Sequence, residues 1–132
     1  MTTIESKVSV NKPVKEVFEF LADLNNHQQL MPENIHNWSS TKDEAKFTIQ
    51  NMAKLALKVS SFTKDKEIII IPSEEAPFKL ELKWTLNDAG EGKTEAIYSI
   101  LADLNMMMKM IASGPLQKLV DHEVSALKKI LS

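Results

Sequence analysis

The amino-acid sequence predicts one α+β domain in which a sheet wraps around a long C-terminal helix. Three observations lead to this fold class. A strand pattern at the N-terminus is followed at once by a short helical pattern, about seventy residues of strand pattern come next, and one helical segment ends the chain. Few folds place their elements in that order, and those that do enclose an internal space.

The first predicted strand covers residues 2–10, where apolar and polar side chains alternate. Asn11 can cap a helix, and Pro13 suits a helix's first turn. Apolar residues then recur at helical spacing as far as Leu24. Polar residues loosen the pattern there, so a second short helix is predicted from about 24 to 31.

Six further strands are predicted between the short helices and the last helix. The β-branched run Ile68–Ile71 favours a strand covered on both faces. A hairpin turn is predicted at 87–92, where Asn, Asp and Gly cluster. The six segments with strand pattern are residues 35–40, 44–50, 55–60, 68–71, 78–86 and 94–103.

The last helix is predicted from Asn105 to Leu131 with a break in its phase. Extending its apolar stripe backwards places Lys109 among buried positions, and Gly114-Pro115 supplies a reason for a kink or a restart, with Ser113 as the new cap. The stripe itself comprises Leu116, Leu119, Val120, Val124, Leu127, Ile130 and Leu131.

Composition narrows the function. The net charge is -2, which offers no basic field for nucleic acid. No apolar run approaches a membrane span, and residues 1–7 lack a signal peptide's apolar stretch, so a cytoplasmic location is expected. The chain has no cysteine, which excludes disulfides, thiolate metal sites and thiol nucleophiles. Its three glycines cannot build a phosphate-binding loop.

The segment from Val10 to Leu24, followed by Leu30-Met31-Pro32, resembles the opening of the START-like and birch-pollen-allergen-like superfamily (SRPBCC), which includes polyketide cyclase/dehydratase-like proteins. Lys12 departs from the serine or threonine cap often found there. The resemblance implies a helix-grip fold, with a seven-stranded antiparallel sheet curved around the C-terminal helix. It also implies a cavity for a lipid, sterol, polyketide or aromatic molecule.

Ligand contacts are expected from inward strand residues, the last helix and its methionine-rich start. Methionine adapts to irregular ligands, but it also fills irregular cores, so both roles stay open for residues 106–110. The residues predicted to line a ligand are Trp38, Phe47, Leu57, Leu82, Trp84, Tyr98, Met107, Met110, Ile111, Leu116 and Val120.

Three residues are candidates for acid–base chemistry. Glu123 falls on the apolar stripe of the last helix, where burial would raise its pKa; alternatively it lies at the stripe's edge or pairs with a lysine. His36 shares a strand face with Trp38 and would act as a base, or it lies solvated on an edge strand. Tyr98 either contacts a ligand or is structural.

The remaining histidines predict no further site. His27 and His122 occupy polar helical positions and are expected in solvent. The three histidines share no metal-ligand spacing, so neither a metal nor a cofactor is predicted. Trp84, which follows Lys83, is expected to pack on the last helix from the concave face of the sheet.

The sequence therefore predicts a domain that stores, transports or senses a small hydrophobic or amphipathic ligand. One alternative is a cyclase/dehydratase-type enzyme, whose acid–base groups would be His36, Tyr98 and Glu123 converging on one cavity point. The other is an interaction module that forms a homodimer through an exposed patch of Met106, Met107, Met108 and Met110.

Overall fold

A computed structural model of the chain describes residues 1–50 and 52–131. Its first three elements are strand β1, helix α1 and a short 3₁₀ helix, η1. Six strands follow, and helix α2 completes the chain. The bounds are β1 (Thr2–Val10), α1 (Val14–Ala22), η1 (Leu24–Leu30), β2 (Ile35–Ser40), β3 (Glu44–Ile49), β4 (Ala53–Thr63), β5 (Glu67–Pro72), β6 (Leu80–Gly90), β7 (Lys93–Ala102) and α2 (Met106–Leu131).

All seven strands form one antiparallel sheet in the order β1-β7-β6-β5-β4-β3-β2. The chain crosses from one sheet edge, β1, to the other, β2, through α1 and η1, and then returns by hairpins. Helix α2 packs against β1, β7 and η1. The predicted element order, the α+β class and the curved sheet around a C-terminal helix are thus confirmed.

The hairpin between β6 and β7 shows why glycine is needed in its turn. Gly90, Glu91 and Gly92 have φ values of 83°, 53° and 72°, in the left-handed region that glycine adopts without steric cost. The Asp88 carboxylate accepts a hydrogen bond from the Gly90 backbone N–H at 2.8 Å. The predicted turn is therefore present, although the strand runs on to Gly90.

The predicted restart of the last helix was wrong, because α2 continues through Pro115. The N-cap is Asn105, whose Oδ1 accepts from the Met108 N–H at 2.8 Å. Proline at 115 removes the donor for the Ile111 carbonyl. Glycine at 114 has no Cβ to meet the proline ring, which eases the clash that proline normally imposes on the residue before it.

The phase of α2 is also unbroken. Half-buried Met108, buried Ala112 and buried Leu116 are spaced by four and extend the core stripe towards the N-terminus. Lys109 is exposed. The predicted phase break arose because the neighbouring apolar residues do not face the core. At the other end, Ile130 leaves the stripe, being 40% exposed.

Two strand predictions need correction. In β5, Ile68 and Ile70 are buried, but Ile69 and Ile71 are only half-buried, so one face packs on the core and the other is partly covered. Strand β6 begins at Leu80 rather than at residue 78.

Within residues 1–50 and 52–131, no helix has the length and apolar character needed to cross a lipid bilayer.

Candidate functional site

A cavity lies between the concave face of the sheet, α2 and η1. Ten of its twelve lining side chains are buried, and the two half-buried ones, Met31 and Trp38, mark its rim. The lining is mainly apolar and includes one carboxyl, one phenol and one imidazole. The lining residues are Leu24, His27, Met31, Trp38, Ala45, Phe47, Leu57, Ile70, Leu82, Tyr98, Leu119 and Glu123.

The cavity volume is about 20 Å³, on the measure by which one water molecule needs about 10–15 Å³. The space therefore has room for about one water molecule in this conformation. A larger molecule enters only if lining side chains or η1 move apart.

Glu123 places a carboxyl group in this cavity from the middle of the buried stripe of α2. The residue is 1% exposed. Among the described residues, neither of its carboxylate oxygens has a hydrogen-bond partner of good distance and angle. Burial raises the pKa of Glu123 well above its ordinary value, because a low-dielectric environment disfavours the charged form. The alternatives of an edge position or a lysine partner are wrong.

Tyr98 reaches the same cavity from β7. Burial, followed by the charge of Glu123 and a hydrogen bond to it, raises the pKa of the Tyr98 phenol. That bond in turn lowers the pKa of Glu123 against the larger effect of burial. The two groups are close neighbours, but their geometry falls short of a well-formed hydrogen bond. The two groups therefore form an adjacent but imperfectly aligned pair.

His27 was expected in solvent, and that prediction was wrong. It is 4% exposed, and its Nε2 donates to the Leu21 carbonyl at 2.8 Å. Burial is the main cause that lowers the pKa of His27, so the neutral imidazole is favoured. Because a 3₁₀ helix has three residues per turn, Leu24, His27 and Leu30 lie on one face. Spacing by three was the signal that an α-helical reading missed.

His36 and Trp38 do not share a face, contrary to the prediction. The pairing of β2 with β3 shifts register between His36 and Ser39, and Asn37 has a φ of 57°, which turns the intervening backbone. His36 is exposed, and its Nε2 lies 3.3 Å from Gln50 Oε1. The alternative of a solvated His36 on an edge strand is confirmed.

Trp38 is held at the rim by its neighbours. Its ring stacks on Phe47 with centroids 5.3 Å apart, and its Nε1 donates to Ser40 Oγ at 2.9 Å. Ser40 Oγ donates in turn to Asn25 Oδ1 on η1, at 2.8 Å. A hydrogen-bonded chain thus links the rim of the sheet to the 3₁₀ helix.

The structure divides the predicted ligand-lining residues into three groups. Those that line the cavity are Trp38, Phe47, Leu57, Leu82 and Tyr98. Trp84, Leu116 and Val120 are buried in the surrounding core but do not line it. Met107, Met110 and Ile111 lie on the surface. Six further lining residues were not predicted from the sequence, namely Leu24, His27, Met31, Ala45, Ile70 and Leu119, and ligand contact stays a prediction for every position.

The start of α2 carries an exposed apolar surface, the methionine patch, formed by Met106, Met107, Met110 and Ile111. Their exposures are 82%, 71%, 84% and 51%. Neither core filling nor a place over the cavity describes these four residues. Only Met108 of this segment packs, half-buried, against the core.

The convergence required by the enzyme alternative is incomplete. Tyr98 and Glu123 meet in the cavity, but His36 lies outside it. His27, which the sequence predicted to be in solvent, lines the cavity instead. In the described part of the chain, no cluster of three or more His, Asp or Glu side chains has the arrangement of a metal site.

No family model and no curated protein matches the sequence. Solved structures do match the fold. A START superfamily protein from Mycobacterium smegmatis is 13% identical with a TM-score of 0.74, and the match covers 98% of this chain and 96% of that one. The di-domain ARO/CYC protein BexL, of a biosynthetic pathway, is 12% identical with a TM-score of 0.75, over 98% of this chain and 46% of that one.

A third similar structure is the Aha1 dimer from Colwellia psychrerythraea, 14% identical with a TM-score of 0.68, over 99% of this chain and 96% of that one. Sequence identities this low show that the proteins share a fold, but they do not show that they share a function. The chain therefore has the helix-grip fold of the START-like (SRPBCC) proteins.

Proposed function

We propose that the protein binds a small hydrophobic or amphipathic molecule in the cavity between the sheet and α2. The observation that carries this proposal is the Glu123 carboxyl, which is buried in an apolar cavity where neither oxygen has a well-formed hydrogen bond to a described residue. Burying such a group without a partner is costly. A ligand that hydrogen-bonds to the Glu123 carboxyl would offset the free-energy cost of burying it. Ligand sites typically combine apolar walls with a few polar groups of this sort.

Entry requires the cavity to expand from its volume of about 20 Å³. The element at the cavity rim that would move to admit a ligand is η1. Its 3₁₀ hydrogen bonds are of poorer geometry than those of an α-helix. Hydrogen bonds that would have to break include the Leu24 N–H to the Lys42 carbonyl at 2.8 Å and a His122 ring nitrogen to the Leu30 carbonyl at 2.9 Å. Displacing η1 with Met31 would open the cavity beside Trp38.

The test is native mass spectrometry of the protein purified from cells, combined with thermal-shift measurements against a panel of lipids and polyketides. A bound molecule, or stabilisation by a panel member, is the expected result. Ala45→Leu fills the cavity from β3 and should abolish the effect. Thr3→Val, on the exposed face of β1, changes a side chain of similar size away from the cavity and should preserve it. An empty spectrum together with no stabilisation would contradict the proposal.

A second candidate function is self-association through the methionine patch, which the exposure of its four residues favours. Exposed apolar surface of this kind commonly marks an interface. The similar Aha1 structure is a dimer. Light scattering across a concentration series should show a dimer that the double substitution Met107→Lys and Met110→Lys dissociates. Phe62→Lys removes an exposed apolar side chain elsewhere and should not. A strict monomer at all concentrations would exclude this role.

A further inference from the structure

We propose that the cavity selects ligands whose polar end donates hydrogen bonds, an amine or an alcohol, and rejects carboxylates, with Glu123 as the residue that determines this specificity. This inference rests on the proposed binding function. It adds the chemical class of the ligand's head group.

The described cavity lining contains an acidic side chain but no lysine or arginine to balance it. The titratable groups that face Glu123 are the Tyr98 phenol from β7 and the His27 imidazole from η1. None of the twelve described lining residues is a lysine or arginine. Binding proteins that hold a buried carboxylate normally supply such a cation, because an unpaired charge in an apolar site is expensive. The one described lining side chain that can become a cation is His27, and burial lowers its pKa and disfavours its charged form, so an anionic head group gains little compensation here.

The polar groups of the cavity also differ in how many hydrogen-bond donors and acceptors they leave unused. His27 uses its Nε2–H on the Leu21 carbonyl. Tyr98 is engaged, imperfectly, with Glu123. Apart from this imperfect contact, neither Glu123 oxygen has a hydrogen bond within the described structure. The unmet hydrogen-bonding capacity of the cavity therefore lies at one place on α2, where a neutral carboxyl accepts through its oxygens and donates one O–H, and an ionised one only accepts.

A donor head group meets that capacity in either of two forms. An alcohol donates to a carboxyl oxygen and leaves Glu123 neutral. An ammonium group favours the carboxylate form and makes a charge-assisted hydrogen bond, which is shorter and stronger than a neutral one. A carboxylate ligand instead places a second acidic group beside Glu123, where only one proton is available to two acids and no cation compensates the charge.

The experiment compares n-octylamine, n-octanol and n-octanoate, which share one apolar body, by calorimetric titration at neutral pH and constant ionic strength. Octylamine and octanol should each bind about tenfold more tightly than octanoate, or better, because a hydrogen bond to a charged or buried group is lost with the anion. Infrared difference spectra should show Glu123 passing from acid to carboxylate as octylamine binds.

Glu123→Gln should erase the preference by giving the cavity an amide that both donates and accepts. Octylamine should lose about tenfold in affinity, and octanoate should bind as well as octanol. Glu19→Gln removes a carboxylate from the exposed face of α1 and should leave all three affinities unchanged.

The wild-type titration decides the inference even if Glu123→Gln fails to fold. Octanoate binding as tightly as octanol would overturn the head-group selection and leave ligand binding standing. If none of the three probes nor any molecule of the lipid and polyketide panel binds, the proposed function fails and this inference fails with it.

Discussion

Trp84 and Tyr98 are direct register partners on β6 and β7, and their rings stack with centroids 4.5 Å apart and planes inclined by 8°. Both are buried. Stacking two large rings fixes the direction of the Tyr98 phenol, because its ring can neither rotate nor slide without disturbing Trp84. Trp84 thus acts on the cavity through Tyr98, without lining it.

Trp84→Ala should lower the free energy of unfolding by about 3–5 kcal/mol, the usual loss when a large buried aromatic is truncated. Tyr98→Phe should cost far less, about 1 kcal/mol or under, because the ring and the stack remain and only the imperfectly aligned contact with Glu123 is lost. Urea unfolding of both variants measures the difference. Equal losses would mean that the Tyr98 hydroxyl makes a strong bond to Glu123 and that the stack contributes little.

Glu123→Gln should make the protein less sensitive to rising pH. The pKa of Glu123 is raised on folding, so the folded state holds its proton while the unfolded chain releases one above about pH 4.3. The unfolded state then binds fewer protons, and stability falls as pH rises until it passes the raised pKa, by at most about 1.4 kcal/mol per pH unit. Glutamine cannot ionise and removes this dependence.

The measurement is urea unfolding of both proteins from pH 4 to pH 8. At the acidic end the two should be similarly stable, and the variant should gain on the wild type as pH increases. Glu19→Gln, an exposed substitution, provides the control for the change of charge. A stability difference that stays constant across this range would show that Glu123 is charged in the folded protein.

His27 should produce the opposite dependence. Its pKa is lowered on folding, so below about pH 6.5 the unfolded chain takes up a proton that the folded protein refuses. The stability tied to neutral His27 is present above that pH and is lost as pH falls. His27→Gln retains a donor for the Leu21 carbonyl and should flatten the acidic side of the curve. The proposal of a buried neutral imidazole fails if wild type and variant lose stability in parallel between pH 7 and pH 5.

The sequence was sufficient for the architecture because strand alternation and helix periodicity report directly on burial. Val8, Val10 and Leu82 lie where period-two alternation predicts, and the register of β6 with β7 follows from the hairpin turn. The same reasoning failed where the period changed. His27 lies on a helix of period three, and His36 lies beside a bulge that reverses the faces of its strand.

The sequence predicted burial incorrectly for hydrophobic residues that lie on the surface and not in the core. Met107 and Met110 carry the same hydrophobic signal as Leu116, yet they are exposed, and the predicted phase break in α2 came from reading them as core. Glu123 is the converse case. Its position on the stripe was visible in the sequence, but the absence of a cation nearby depends on how β7 and η1 pack against α2.

Gly114 and Pro115 form a coupled pair inside α2, and a double-mutant cycle should reveal it. Pro115→Ala should raise the free energy of unfolding by about 1–3 kcal/mol, because it restores a helical hydrogen bond and removes a steric clash. Gly114→Ala alone should be neutral or destabilising, since its new Cβ meets the proline ring. In the Pro115→Ala background the same change should stabilise by about 0.5–1 kcal/mol, because no described atom outside the chain neighbours and the adjoining helix backbone lies within 4 Å of the added Cβ. Urea unfolding of the four proteins gives the coupling energy. Additive effects would mean that the helix accommodates proline without help from the glycine before it.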